Sequence, residues 1–270
     1  MDAQTFKDFQ SIAYQKAGIF LREGKAALVQ ARLAKRLREL GLTTEREYLD
    51  RLRSDGGEEV VLFLAAISTN FTKFFREPDH FDTLCDGVVA ARSAGQRRFR
   101  FWSAASSSGE EPYTMAMVLD PLLGGCDWKI LATDISTRVL QRAVAGVYGP
   151  EELDGIPDKL RTRYLERAPQ DDDGQERWAV REPLKQRITY RRLNLANRPF
   201  PMSGPLDAIF CRNVMIYFDR PMRAGVVTEF ERLIKSGGPL FIGHSETLNG
   251  LTTRFRSERP SVYRLPEEAR

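Results

Sequence analysis

The sequence predicts an α/β chain. A mostly parallel sheet carries helices on both faces, with an all-helical segment before it and a small antiparallel β insert within it. Three observations carry this. Short apolar runs near residues 100, 130, 190, 208 and 240 are separated by stretches of helical periodicity. Residues 1–67 hold helical patterns alone. Residues 158–187 are polar, contain the acidic turn Asp171-Asp172-Asp173-Gly174 and alternate in short pieces such as Arg177-Trp178-Ala179-Val180. Parallel strands joined by helices cross over right-handed, which leaves few topologies to consider.

In the helical part, Phe6, Phe9, Ile12 and Ala13 share one face. Lys25 to Leu40 is the clearest helix, with Leu28, Val29, Leu33, Leu37 and Leu40 as its apolar stripe and Gly41 as its stop. Its other face carries Arg32, Lys35, Arg36 and Arg38. Such a face is ordinarily just solvated; the sharper reading is a docking surface for an acidic partner. Helices through Tyr48 to Leu52 and Val60 to Ile67 complete this part, divided by Ser54-Asp55-Gly56-Gly57. Residues 68–98 form a connecting segment and helix. Asn70, Thr72 and Arg76 alternate there with Phe71, Phe74 and Phe75, offering an amide, a hydroxyl and a guanidinium fork for a ligand carboxylate. Held only by its aromatics, the same stretch would be a plain linker. A helix from Phe81 to Ala94 brings Arg92 near its end.

Residues 99–270 form the remaining domain. Phe99, Phe101, Trp102, Ala104 and Ala105 make a buried strand. Ser106-Ser107-Ser108-Gly109 is a turn without bulky side chains, and Glu110-Glu111-Pro112 opens a helix. That geometry lets backbone approach a ligand closely. The second strand, Lys129 to Ile135, delivers Asp134 25 residues beyond Gly109, near the spacing at which an acid meets ribose hydroxyls. With one glycine the turn is no dinucleotide fingerprint, and Glu111 would repel a pyrophosphate. An adenosyl amino acid such as S-adenosylmethionine fits ribose, amine and no phosphate. Glu110 and Glu111 would serve equally as complements to a helix dipole. Ser136 caps a helix expected to reach Val147. Ile188 to Leu193 is a strand closing with Asn194-Leu195, and Leu206 to Asn213 delivers Arg212 and Asn213 at the carboxyl edge, where open α/β sheets bind ligands. Tyr217 lies just past that edge. Pro221 to Ile234 is a helix, Pro239 to Ser245 a strand, and Phe255 to Leu265 half of a terminal hairpin.

Composition narrows the class. The chain has 270 residues, 42% hydrophobic and 29% charged, as in a soluble globular protein. No stretch approaches the ~18 apolar residues of a membrane span, and Met1 to Asp8 has no secretory character. Cys85, Cys126 and Cys211 are odd in number and widely spaced, which suggests reduced cytoplasmic thiols. His80 and His244, the only histidines, are far apart, so no metal site is expected. Residues 1–53 hold eleven Lys and Arg against seven Asp and Glu, which is the chain's whole positive excess.

Five blocks carry a resemblance: Ser68-Thr69-Asn70-Phe71-Thr72-Lys73-Phe74-Phe75-Arg76, Trp102 to Tyr113, Ala132-Thr133-Asp134-Ile135, Ile209 to Phe218, and Gly243-His244-Ser245-Glu246-Thr247-Leu248. In this order they resemble the signature blocks of the CheR-type chemotaxis receptor methyltransferases, and length and helical N-terminus match as well. The serines at 106–108 depart slightly from that family's usual small-residue run. The resemblance implies a class I S-adenosylmethionine-dependent methyltransferase of Rossmann-like fold that esterifies glutamate side chains of chemoreceptors. It implies that Asn70, Thr72, Arg76, Glu111, Asp134, Asn194, Leu195, Arg212 and Asn213 contact S-adenosylmethionine and that Tyr217 lies beside the transferred methyl. Arg92 is implied as a second catalytic residue, with Arg97 and Arg98 close by in the alignment. The basic face of Arg32, Lys35, Arg36 and Arg38 would guide the acidic helices of the receptor. The insert at 158–187 would be a β-subdomain, which in some members holds a receptor C-terminal peptide. A cytoplasmic monomer is the default. Two rivals stand beside this: a methyltransferase for nucleic acid or a small molecule, suggested by the basic helix, and a module that binds the cofactor and docks on receptors without activity.

Overall fold

The computed structural model of the chain describes residues 1–54, 57–68, 71–170 and 174–267. Four helices come first: α1 (Ala3–Ala17), α2 (Ala26–Leu40), α3 (Glu45–Ser54) and α4 (Glu58–Ile67). Asp2 caps α1 by accepting from Thr5 N at 2.8 Å, and Gly18 ends it in the left-handed region. The four helices bury a core of their own around Phe9, Leu33, Tyr48 and Phe63. The basic face of α2 is partly consumed inside this domain. Arg36 grips the buried Glu59 with Nε and Nη2, at 2.7 and 2.5 Å, and Tyr48 donates to the same carboxylate at 2.7 Å. Arg32 donates to Ile67 O. Lys35 and Arg38 remain exposed.

Next come α5 (Asp79–Ser93), β1 (Arg98–Ser103), α6 (Glu110–Leu119), β2 (Asp127–Asp134) and α7 (Thr137–Ala145). Then follow β3 (Val147–Tyr148), α8 (Asp158–Tyr164), β4 (Leu165–Ala168), β5 (Arg177–Val180), α9 (Glu182–Lys185) and β6 (Ile188–Arg192). The chain continues through β7 (Ala208–Cys211), α10 (Arg220–Leu233), β8 (Pro239–Ile242), β9 (Arg256–Arg259) and β10 (Val262–Arg264). The main sheet has the order β6-β2-β1-β7-β8-β10-β9, parallel from β6 to β8 and antiparallel beyond. Strand order reverses beside β1, the usual place for a ligand crevice.

Both faces of the parallel strands are covered, and alternation sorts their side chains. Phe99, Phe101, Ala208, Phe210 and Phe241 enter one core, with α5 and α6 packed on it. Trp102, Ile209, Cys211, Leu240 and Ile242 enter the other, against α10. Three expectations shift. The helix after Ser136 stops at Ala145 because Gly146 turns left-handed, and Val147 is already strand. The insert is a three-stranded antiparallel sheet, β3-β5-β4, whose first strand precedes residue 158; its acidic turn at Asp171–Asp173 lies outside the described residues. Phe255 to Leu265 is the whole terminal hairpin, both strands included. The three cysteines are free thiols. Among the described residues no helix is long and apolar enough to cross a membrane.

Candidate active site

The carboxyl ends of β1, β2, β6 and β7 open into one cleft. Its wall includes Thr72, Arg76, Glu111, Asp134, Asn194, Leu195, Arg212, Asn213 and Tyr217. The cleft encloses about 990 Å³ counting its open mouth. Of the residues expected to meet here, Asn70 lies outside the described residues. Arg92 is not brought here: it sits at the far end of α5, where it donates to Leu122 O and Gly124 O.

The turn after β1 is fixed from both sides. Ser106 N donates to Thr133 O at 2.9 Å, and Ser107, at φ 47°, donates its N–H to Asp134 at 3.0 Å. The other Asp134 oxygen accepts from Ser136 N at 2.9 Å. Burial pushes this carboxyl above its ordinary value, opposed by the two N–H bonds. Gly109 starts α6 at φ 102°, and a Cβ there would fall 2.9 Å from Ala143 Cβ and from Tyr148 Oη. No other residue suits that position.

The two glutamates that open α6 part company. Glu110 is buried and bonded to Ser108 Oγ at 2.8 Å, so it serves the helix end. Glu111 faces the cleft, accepting from Ser103 Oγ at 2.7 Å and pairing with Arg212 at 3.2 Å. Burial raises its carboxyl, with Arg212 pulling the other way.

Arg212 is committed to the wall itself. It is buried, donates to Glu77 through Nε and Nη2 at 3.1 and 3.0 Å, and reaches Arg76 O. Burial acts to raise Glu77, but the Arg212 charge and the donors His244 N and Asn213 Nδ2 outweigh it, and the group sits below its ordinary value. Asn194 is likewise occupied, its amide donating to Lys16 O at 2.6 Å. Arg76 donates to Phe71 O and stacks 5.6 Å from the Phe71 ring. Asn213 adopts φ 58°, and Tyr217 follows on a 3-10 turn, Met215–Tyr217.

The end of α1 completes the wall through Ala17 and Ile19. Phe20 N donates to Tyr217 O at 2.7 Å, Ile19 bridges Phe218, and Tyr14 Oη donates to Asp219 at 3.0 Å. Gly18 permits the approach, because a Cβ there would lie 2.8 Å from Met222 Sδ.

Sequence reasoning missed Glu77 and Glu246. Glu246 accepts from Gly243 N, three residues back, and that spacing of a side chain returning to its own backbone was the available signal. Glu77 gave little local signal, since its side chain's hydrogen-bond partners lie more than 130 residues away. The two histidines, distant in sequence, meet: His80 and His244 have ring centroids 5.0 Å apart, and with Glu77 their ligating atoms lie within 4.8 Å of one another. Arg212 already holds that carboxylate, and its charge opposes a cation there.

Comparison with known proteins now decides the family. The profile of the CheR methyltransferase SAM binding domain matches residues 70–263, and that of the CheR methyltransferase all-alpha domain matches residues 4–68. A chemotaxis protein methyltransferase of Escherichia coli is 41% identical over 97% of this chain and 91% of its own. This chain belongs to the CheR methyltransferase family. Other relatives include a probable chemotaxis protein methyltransferase of Rhizobium etli, 43% identical over 88% of this chain and 90% of its own. Chemotaxis protein methyltransferase 2 of Pseudomonas aeruginosa is 42% identical over 96% of this chain and 93% of its own.

Membership makes the chain an S-adenosylmethionine-dependent methyltransferase of chemotaxis, and the cleft fits that cofactor. Its wall presents two carboxylates, Asp134 and Glu111, together with the cationic side chains of Lys73 and Arg76. Apolar side chains, Ile135, Leu195 and Phe71 among them, line part of it as well. Ser107, in the same wall, has a buried hydroxyl without a hydrogen-bond partner among the described residues.

Proposed function

We propose that the chain methylates glutamate side-chain carboxylates in the cytoplasmic helical region of chemoreceptors, forming methyl esters. The carrying observation is the chemistry of the cleft wall. It contains a tyrosine, Tyr217, and among the described residues neither a histidine nor a cysteine. Its two carboxylates are held by Ser103, Arg212 and backbone N–H groups, which suits binding more than proton abstraction. A glutamate acceptor needs no base, since its ordinary pKa is about 4.3 and it is ionised at neutral pH. Bound S-adenosylmethionine supplies the electrophilic methyl.

The chain's own part is alignment, which in favourable cases is worth roughly 7–11 kcal/mol. In this reading Asp134 takes the ribose hydroxyls. Glu111 and Arg76 meet the amino and carboxylate ends of the cofactor. Thr72, Leu195 and Asn213 complete its contacts, while Arg212 and Asn194 brace the wall. Tyr217 orients the incoming carboxylate through its hydroxyl. Lys35 and Arg38, the exposed remainder of the basic face of α2, steer the acidic acceptor helix. The edge strand β4 is where a receptor's C-terminal peptide would add as a further strand. The chain acts as a monomer.

The test is transfer of radiolabelled methyl from S-adenosylmethionine to chemoreceptor membranes, followed by mild alkali. Alkali-labile label located on glutamates is expected; label stable to alkali, or none, refutes the reading. In the same assay, Lys35→Glu with Arg38→Glu raises the acceptor KM and weakens its salt dependence. An unchanged KM removes α2 from the docking surface.

A further inference from the structure

Beyond the last paired residues of β7 and β8, Cys211 and Ile242, the ladder between the two strands ends. At that end one side chain accepts from the backbone N–H groups of Asn213, Gly243 and Ile216, with the Met215 N–H also turned toward it. Glu246 Oε2 accepts from Asn213 N at 2.9 Å and from Gly243 N at 2.6 Å, and Oε1 accepts from Ile216 N at 3.1 Å. Asp134 is also held by backbone N–H groups, but those lie within its own turn and the one beside it, whereas Glu246 ties together the ends of two neighbouring strands. The approach is close enough that a Cβ on Gly243 would fall 2.2 Å from Asn213 Nδ2. Asn213 is a left-handed residue of the cleft wall, and Ile216 immediately precedes Tyr217.

We propose that Glu246 is the positioning residue of this cleft, clamping the ends of β7 and β8 so that Asn213 and Tyr217 hold their places in the wall. That Tyr217 faces the acceptor rests on the functional reading above; the clamp itself rests on the three hydrogen bonds. Burial raises the Glu246 carboxyl above its ordinary value, and the backbone N–H bonds oppose that rise.

The chemistry predicts a graded response. A glutamine offers one acceptor oxygen where the carboxylate has two. With that oxygen on Asn213 and Gly243, its NH2 group meets the Ile216 N–H, donor against donor. The turn that carries Tyr217 is released while the strand ends stay joined. Alanine releases all three.

The experiment uses the full chain with 3-fluorotyrosine, in wild-type, Glu246→Gln and Glu246→Ala forms, the Tyr217 resonance being assigned by its loss in Tyr217→Phe. Amide exchange at residues 213, 216 and 243, S-adenosylhomocysteine affinity and methyl transfer to receptor membranes are measured alongside. In Glu246→Gln the Tyr217 resonance shifts and exchange at Ile216 speeds up. The kcat falls about tenfold, with acceptor KM and S-adenosylhomocysteine Kd within about twofold. Glu246→Ala goes further on every readout that moves, and where it does not fold the glutamine variant decides. An unmoved Tyr217 resonance with unchanged exchange at Ile216 overturns the proposal, as does a loss of kcat matched by equal losses in Kd. Wild-type protein that methylates no receptor would sink the functional reading alone, and the resonance and exchange data would still decide for or against the clamp.

Discussion

At the scale of single residues, the cleft is built from side chains already spoken for. Asp134 accepts from Ser107 N on one oxygen and Ser136 N on the other, with the Ile135 N–H also beside it, and its remaining acceptor capacity is what a ligand would use. In Asp134→Asn the new NH2 group must oppose one of those N–H groups, so the turn and the ligand contact weaken together. Calorimetry with S-adenosylhomocysteine should show Kd raised at least about tenfold, ~1.4 kcal/mol; an unaltered Kd would remove Asp134 from the ligand site. Which residues face the cleft was largely legible, because Asp134, Asn194, Arg212 and Asn213 all stand at carboxyl ends of strands, and strands can be read from apolar runs. What each does with its polar atoms was not. Arg212 sits between Glu77 and Glu111, and Arg36 on Glu59, because of partners distant in sequence. Arg92 was misplaced because a family block gave it no spatial anchor.

At the scale of elements, the antiparallel insert supports the cofactor turn as well as standing apart from it. Tyr148, in β3, donates to Ser108 O at 2.7 Å and packs its ring edge-on to Phe74 with centroids 5.0 Å apart. A buried hydrogen bond of this kind is worth about 1 kcal/mol, and more where its removal leaves the carbonyl unpartnered. Tyr148→Phe should therefore raise the Kd for S-adenosylhomocysteine by roughly fivefold while the kcat at saturating cofactor stays near wild type. A fall in kcat with unchanged Kd would contradict this link. Nothing in the sequence announced it: Val147-Tyr148 continues the apolar pattern of α7, and only the left-handed Gly146 turns it into a strand. The parallel strands were easier to find, since both faces are buried and every residue of β7 is apolar or small.

At the scale of the molecule, the helical domain is part of the site. Ala17 and Ile19 line the cleft, Phe20 N holds the Tyr217 carbonyl and Lys16 O holds Asn194. The strands of the sheet and the helical beginning were legible from apolar runs and periodicity; the seating of one on the other was not, because its hydrogen bonds, Phe20 N to Tyr217 O and Asn194 to Lys16 O, join residues far apart in sequence. The claim joining these parts is that the cleft aligns a carboxylate through Tyr217 while other residues hold the cofactor. The most direct test is Tyr217→Phe, with kcat for receptor methylation and Kd for S-adenosylhomocysteine measured on the same preparation. The account predicts a kcat lowered by about tenfold or more with Kd within about twofold of wild type. A kcat that does not change, or a Kd that rises in step with the loss of turnover, would contradict it.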